Sequence, residues 1–424
     1  MAIMQEVKHS MLRRCRGWDY CQPCIYMITL VLADRRSKAL GRLVVEDLAL
    51  PRQAQEGALL SKGEVRQAQG RASIALSPAG EAVFAEFRSI GEHHPEIKPL
   101  FMQVMPDHVH FIIQVMRQMA RPLGQAIAGF KAGSSKAAIG KGGLWAEGFQ
   151  DTILFHEGQL DSMFNYLRDN PRRLAVKQLM PEFFRVKNDV CLALPRQDRE
   201  LPLPAQDRAC SVPRAAALGL PASAAFTAHF SAIGNLFLLD SPSIIQVQCS
   251  RADFAYKRIA KPGGGRKIAH NVDGTPIIEK TTPQFEEKRD ELLAAAKHGA
   301  VLISPCISDG EREIARLAFA ASLPVIALRN MGFSPLYKPG GKLFDKTANG
   351  KLLLLAPAAW PYSTAEKPMT RFDACVMNRL AQLIAGPGAV EINYKGMKPN
   401  DIERLVREAV SKTNNGETNA GKKE

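Results

Sequence analysis

The sequence predicts two mixed helix-and-strand domains in series: an α+β domain with an antiparallel sheet and helices on one face, then an α/β domain with a largely parallel sheet. Three observations predict this. The chain has 424 residues, more than one hydrophobic core usually organises. Its first part reads strand, helix, strand, strand, helix, strand, helix, whereas its later part alternates short apolar runs, NLFLLD, IIQVQC, LPVIAL and KLLLLAP among them, with helical segments. Between them, from about Lys187 to Ala225, lies an aperiodic stretch rich in Pro, Ala, Arg and Asp that reads as a linker. The expected boundaries are 1–185, a linker at 186–225, a second domain at 226–395 and a basic, partly disordered tail at 396–424.

Each element of the first domain has a local reason. Ile25 to Val31, IYMITLV, is β-branched and aromatic, as a buried strand requires. Residues 41–71 show no firm period beyond a short strand at Leu43 to Val45. At Ser77 an N-cap opens a helix that carries Val83, Phe84 and Phe87 at helical spacing and stops at Gly91 and Pro95. Two extended runs, Leu100 to Met105 and Val109 to Val115, flank Pro106 and Asp107 as a hairpin. A helix from about Pro122 to Ile139, the glycine-containing KGGLWAEGFQDTILF and a helix from Asp161 through Tyr166 complete the order. That order is a split βαβ sheet, as in ferredoxin-like folds.

Composition narrows the function. Apolar residues form 46 % and charged residues 23 % of the chain, values of an ordinary globular protein. The formal charge of +14 and pI of about 9.4 favour a polyanion as partner. No run reaches the roughly 18 to 20 apolar residues of a spanning helix, and the start has no secretory features, so the expectation is no membrane and a cytoplasmic location. Eight cysteines at irregular spacing suit a reducing compartment. Cys15, Cys21 and Cys24 cluster without a second pair nearby, which reads as thiols rather than a zinc site.

Chemistry concentrates in two places. On a strand, His108 and His110 point to one face while Val109 faces the other way, and two adjacent imidazoles are natural ligands for a divalent ion. In FNYLRDNP, Tyr166 and Asn170 are four apart on a helix, with Arg168, Arg172, Arg173 and Lys177 close by. A nucleophilic hydroxyl, a cation and an arginine cluster are what attack on a phosphodiester needs. The same residues also read as two strand histidines, a boundary aromatic and an N-cap before Pro171.

MPDHVHFII, a helix containing GFKAGSSK, LWAEGFQDTIL and FNYLRDNPRRLA, in that order, resemble the HUH single-tyrosine transposases of bacterial insertion sequences, most closely the REP-associated tyrosine transposases. The resemblance covers about residues 20–180. It implies that His108 and His110 bind Mg²⁺ or Mn²⁺, that Asn170 completes the metal site, and that Tyr166 is the nucleophile. It further implies single-stranded, hairpin-forming DNA as substrate, a 5′-phosphotyrosine intermediate and work at the bacterial nucleoid. A homodimer, with Tyr166 acting in its own subunit or its partner's, stays open. Lys131 and Lys136 are candidates for DNA-backbone contacts or a solvated helix face, and Trp145 and Phe149 read better as packing than as base-stacking groups. One departure is the longer segment between the first strand and the helix near Phe84.

In the second domain, VLISPCISDGEREIARLAFAASLPVIAL reads as strand, turn, helix, strand, with Ser308 and Glu311 as a capping box. Such a helix start suits a phosphate group, yet no GxGxxG or GxxxxGK is present. About residues 230–360 resemble the Rossmann-like family of the DNA-processing protein DprA and the LOG proteins, which implies binding of nucleotide or single-stranded DNA, with no catalytic residue assigned. The competing readings are a non-cleaving DNA-binding regulator derived from a transposase, a nucleotide-binding protein acting through the second domain, and a replication initiator or relaxase. The single tyrosine following the histidine strand favours the transposase.

Overall fold

A computed structural model describes residues 15, 17–45, 72–155, 158–195, 225–260, 265–271, 273–334, 336–363, 369–390, 392, 394 and 397–411. The chain divides into two units, Met1–Leu179 and Met180–Glu424.

In the first unit the expected strand forms as β1, Cys24–Val31. A hairpin follows, β2 (Gly41–Val45) with β3 (Ala72–Leu76), and residues 46–71, part of the stretch without a firm period, lie outside the described residues. Helix α1 (Pro78–Arg88) starts where the Ser77 hydroxyl accepts from the Gly80 amide, and a short α2 (Ile90–His93) trails it. Strands β4 (Ile97–Met105) and β5 (His108–Val115) form the expected hairpin. Helix α3 (Leu123–Ile139), β6 (Gln150–Leu154) and α4 (Gln159–Leu179) complete the unit.

The sheet order is β4-β5-β1-β6, with every neighbour antiparallel. Strand alternation sends Tyr26, Ile28 and Leu30 of β1 and Val109, Phe111 and Ile113 of β5 to one face, where Val83 and Phe87 of α1 and Ile127 and Phe130 of α3 cover them. The other face carries Thr29, Gln103, His108 and His110. Sequence reasoning expected all helices on one face. Instead α4 packs on the polar face, anchored by Phe164 edge-on to Phe101 of β4 at 5.7 Å. An aromatic pair supplies the apolar hold that the histidine face otherwise lacks. Helix α4 also continues through Pro171, so Asn170 is not an N-cap.

The second unit is built on a mixed six-stranded sheet. Its strands are β7 (Lys187–Pro195), β8 (Ala225–Gly234) and β9 (Ile244–Gln246), with β14 (Val301–Ser304), β15 (Val325–Leu328) and β16 (Leu352–Pro357) further along the chain. The order is β7-β8-β16-β15-β14-β9. The last four are mutually parallel, as expected, while β8 runs antiparallel to β16 and β7 to β8. Between β9 and β14 come the two-stranded pairs β10 (Phe254–Tyr256) with β13 (Ile278–Thr281) and β11 (Arg258–Ala260) with β12 (Arg266–Ile268). The helices are α5 (Pro283–Lys297), α6 (Asp309–Ala320), α7 (Lys342–Ala348), α8 (Arg371–Ala385) and α9 (Pro399–Ala409).

Three local readings change. Lys187–Pro195, expected to be linker, is a sheet strand, and 196–224 lies outside the described residues. The apolar run NLFLLD is a 3-10 helix, Leu236–Asp240, because the Asn235 side chain caps it at Phe237. Residues 399–409, expected in a tail, form α9, whose Ile402, Val406 and Ala409 join Phe230, Ile303 and Leu380 in one core. The Arg379–Glu403 ion pair, 2.6 Å long and nearly buried, ties α8 to α9. No described helix is long and apolar enough to cross a membrane.

Candidate metal and nucleophile site

Strand register builds the histidine pair. His110 lies opposite Thr29 on β1 and Gln103 on β4, and His108 lies opposite Val31 and Met105. The two imidazoles meet edge to face with centroids 4.7 Å apart. Each has its Nδ1 engaged: His108 with Asp107 Oδ1 at 2.6 Å, His110 with Thr29 Oγ1 at 2.8 Å. A carboxylate only accepts, so His108 keeps its Nδ1 proton and, when neutral, offers the Nε2 lone pair. The threonine hydroxyl can donate or accept, and in the latter case His110 offers Nε2 as well.

Asp107 is held in turn by the Arg35 guanidinium, 2.8 Å from Nε. The His108 hydrogen bond first, and Arg35 second, keep its carboxyl far below the usual carboxylate range. Burial, reinforced by His108, pushes His110 down to about 3, so it is neutral at ordinary pH and ready to ligate.

Helix α4 brings the tyrosine to this face. The Tyr166 ring lies 6.5 Å from that of His110, with the Arg173 guanidinium over it at 5.3 Å, and it is 40 % exposed. One turn on, Asn170 is 8 % exposed and its Nδ2 is buried with no hydrogen-bond partner among the described groups. An amide can be turned end for end, so this position can equally present an oxygen. Imidazole nitrogens and an amide oxygen are donor types that suit a divalent cation, and Asn170 is a buried amide without a described partner for its Nδ2.

The arginines divide their roles. Asp169, unremarked in the sequence, accepts from Arg172 Nε at 2.5 Å, Arg172 Nη2 at 2.9 Å and Arg173 Nε at 2.7 Å, and so fixes both guanidinium groups. Arg168 stacks on Phe101 and Phe164. Of the two lysines, Lys131 is half-buried and donates to the carbonyls of Ala146 at 2.7 Å and Gly148 at 3.1 Å, and burial lowers its pKa. Lys136 is exposed and lines an open cleft of about 360 Å³ with Ser135, Gly140, Gly142 and Trp145. Trp145 and Phe149 are core residues, as read, and Trp145 Nε1 donates to Ser134 at 2.9 Å.

Thr29, Arg35, Asp107 and Asp169 escaped sequence reasoning. The adjacency of Asp107 and His108 was a usable signal. The contact between Thr29 and His110 spans 81 positions and becomes visible only in the register. Among the described residues Cys15, Cys21 and Cys24 form no three-ligand group. In the second unit the capping box at Ser308 and Glu311 is present. Glu311 Oε2 accepts from the amides of Ile307 at 2.7 Å and Ser308 at 3.4 Å, so the chain's own carboxylate takes up amides at the helix start.

No family profile matches this sequence, and no curated protein matches it. Among solved structures, the chain is similar to a REP-associated tyrosine transposase bound to a REP hairpin, with 14 % identity over 38 % of this chain and 73 % of that one and a TM-score of 0.25. It is also similar to a proposed transposase from Deinococcus radiodurans, with 14 % identity over 37 % of this chain and 95 % of that one and a TM-score of 0.20. Neither is a DprA or LOG protein, so that resemblance of the second unit finds no support here.

Proposed function

We propose that the first unit is a metal-dependent DNA nicking and joining domain, a single-strand transposase acting through Tyr166. The observation that carries the reading is the meeting of Tyr166 with a histidine pair whose Nδ1 atoms are both engaged, on the polar face of the sheet. The strand order supports a ferredoxin-like reading of this unit, and the four parallel strands a Rossmann-like reading of the second.

His108, His110 and Asn170 would hold Mg²⁺ or Mn²⁺, which when bound withdraws charge from the scissile phosphate. Tyr166 Oη attacks phosphorus, the bond to the 3′ oxygen breaks, and the phenol proton is lost as a 3′-hydroxyl is released. The 5′-phosphotyrosine retains the ester energy, so rejoining needs no other source. Arg168, Arg172, Arg173 and Lys136 supply positive charge for the DNA backbone, while Lys131 acts by fixing the segment that carries Trp145.

The test incubates the protein with labelled single-stranded hairpins from the DNA flanking its own gene. A covalent adduct that needs Mg²⁺ or Mn²⁺ and is lost in Tyr166→Phe is expected. DNA binding without any adduct would overturn cleavage and leave a DNA-binding regulator.

A further inference from the structure

A second group of ligand atoms converges within the second unit. On β7 and β8, Cys191 and His229 are directly opposed in register, so their side chains share a face. A bulge between Lys187 and Val190 precedes them, and within it Asp189 takes a left-handed φ of 68°, unusual for a residue with a Cβ. That turn aims the Asp189 carboxylate back at the pair. His229 Nδ1 lies 2.7 Å from Asp189 Oδ1 and 3.4 Å from Cys191 Sγ, and the sulfur lies 3.9 Å from the same oxygen. Among the described residues these are the only three His, Cys, Asp or Glu side chains whose ligand atoms gather in this way.

We propose that Asp189, Cys191 and His229 are a metal site for zinc or a similar borderline-soft divalent ion. Bonds of about 2.0–2.3 Å at tetrahedral angles would place N and S about 3.6 Å apart, O and S about 3.6 Å, and N and O about 3.4 Å. The two separations to sulfur, 3.4 and 3.9 Å, are close to this, while N and O, at 2.7 Å, would have to part by about 0.7 Å. The shortest is the hydrogen bond that the ion would replace: the imidazole proton moves to Nε2, and the thiol proton leaves to solvent. A cysteine-histidine-aspartate relay fits less well, because thiol and carboxylate meet the same ring nitrogen rather than opposite ones. His229 is 8 % exposed, and its backbone is pinned by bonds to Val410 and Ala358, whereas the Asp189 side chain is 54 % exposed. The site thus joins a buried histidine on a paired strand to a carboxylate in contact with solvent, from which side water would complete the coordination.

The test uses the full chain carrying His108→Ala and His110→Ala, so that the transposase-type site is silent and its fate cannot decide the result. Addition of Co²⁺ should give a thiolate-to-cobalt charge-transfer band, which Cys191→Ser abolishes, and zinc held through equilibrium dialysis should fall by one ion per chain in Cys191→Ser and in His229→Ala. The unmutated protein gives an independent reading: Zn²⁺ should protect Cys191 from alkylation, located by peptide mass spectrometry. Absence of the cobalt band, its survival in Cys191→Ser, or alkylation of Cys191 at an unchanged rate with zinc would each overturn the proposal.

Discussion

Removing the groups behind the histidines should weaken metal binding in a set order. Asp107 accepts from His108 Nδ1 at 2.6 Å and Thr29 meets His110 Nδ1 at 2.8 Å, so in the proposed site neither would touch the ion, yet each would orient one of its ligands. A hydrogen bond to a charged group contributes about 1.5–3 kcal/mol and a neutral one about 1 kcal/mol. The Asp107 side chain is 23 % exposed and its Arg35 partner 63 %, which favours the lower part of that range. Asp107→Ala should therefore weaken Mn²⁺ binding about 10- to 30-fold and Thr29→Val about fivefold. Asp107→Asn, which keeps an acceptor without its charge, should fall between Asp107→Ala and the parent. Titration of the free Mn²⁺ resonance measures all three, with thermal unfolding as the control for folding. Parental affinity in both Asp107→Ala and Thr29→Val, with the fold intact, would refute the claim that these bonds prepare the imidazoles.

Three further outcomes follow from close contacts. A Cβ on Gly80 would collide with the Leu40 carbonyl oxygen, so Gly80→Ala should destabilise the first unit by about 1–3 kcal/mol in urea unfolding. Lys136→Ala should weaken single-stranded DNA binding and flatten its salt dependence by about one ion, whereas Lys131→Met should chiefly lower the melting temperature, since Lys131 is tied to Ala146 and Gly148. Burial raises the pKa of Glu311. Stability linked to its proton is present below the ordinary carboxylate value and lost as pH rises through the raised one, so the parent should lose ground to Glu311→Gln from about pH 4 upward in calorimetric scans.

Much of the first sheet was legible because its strands alternate and its hairpin is marked by Pro106 and Asp107. The pair of histidines could be placed on one face by strand period alone. Their partners could not, since Thr29 reaches His110 through β1–β5 pairing and α4 docks through the contact of Phe164 with Phe101. Composition misled in the second unit. The charged, proline-flanked Lys187–Pro195 gains its strand character from pairing with β8, and NLFLLD loses it to an asparagine cap. Helix α9 did carry a readable stripe, with Ile402, Val406 and Ala409 at helical spacing, beneath a charged surface that resembles a tail.

That last helix has a bearing on how the protein is made. Synthesis delivers β7 and β8 long before residues 399–410, yet the amide of His229 on β8 bonds the Val410 carbonyl, and Ile402 and Val406 fill the core beside Phe230. The core of the second unit therefore stays incomplete during synthesis until residues 399–410 emerge, whereas every described strand and helix of the first unit is available much earlier. A premature stop just ahead of Pro399 would spare the tyrosine and its histidines while removing Ile402, Val406 and Ala409 from the core of the second unit. Phe230, Leu380 and Ile384 thus lack part of their apolar cover, and are open to aggregation, until residues 399–410 have been made.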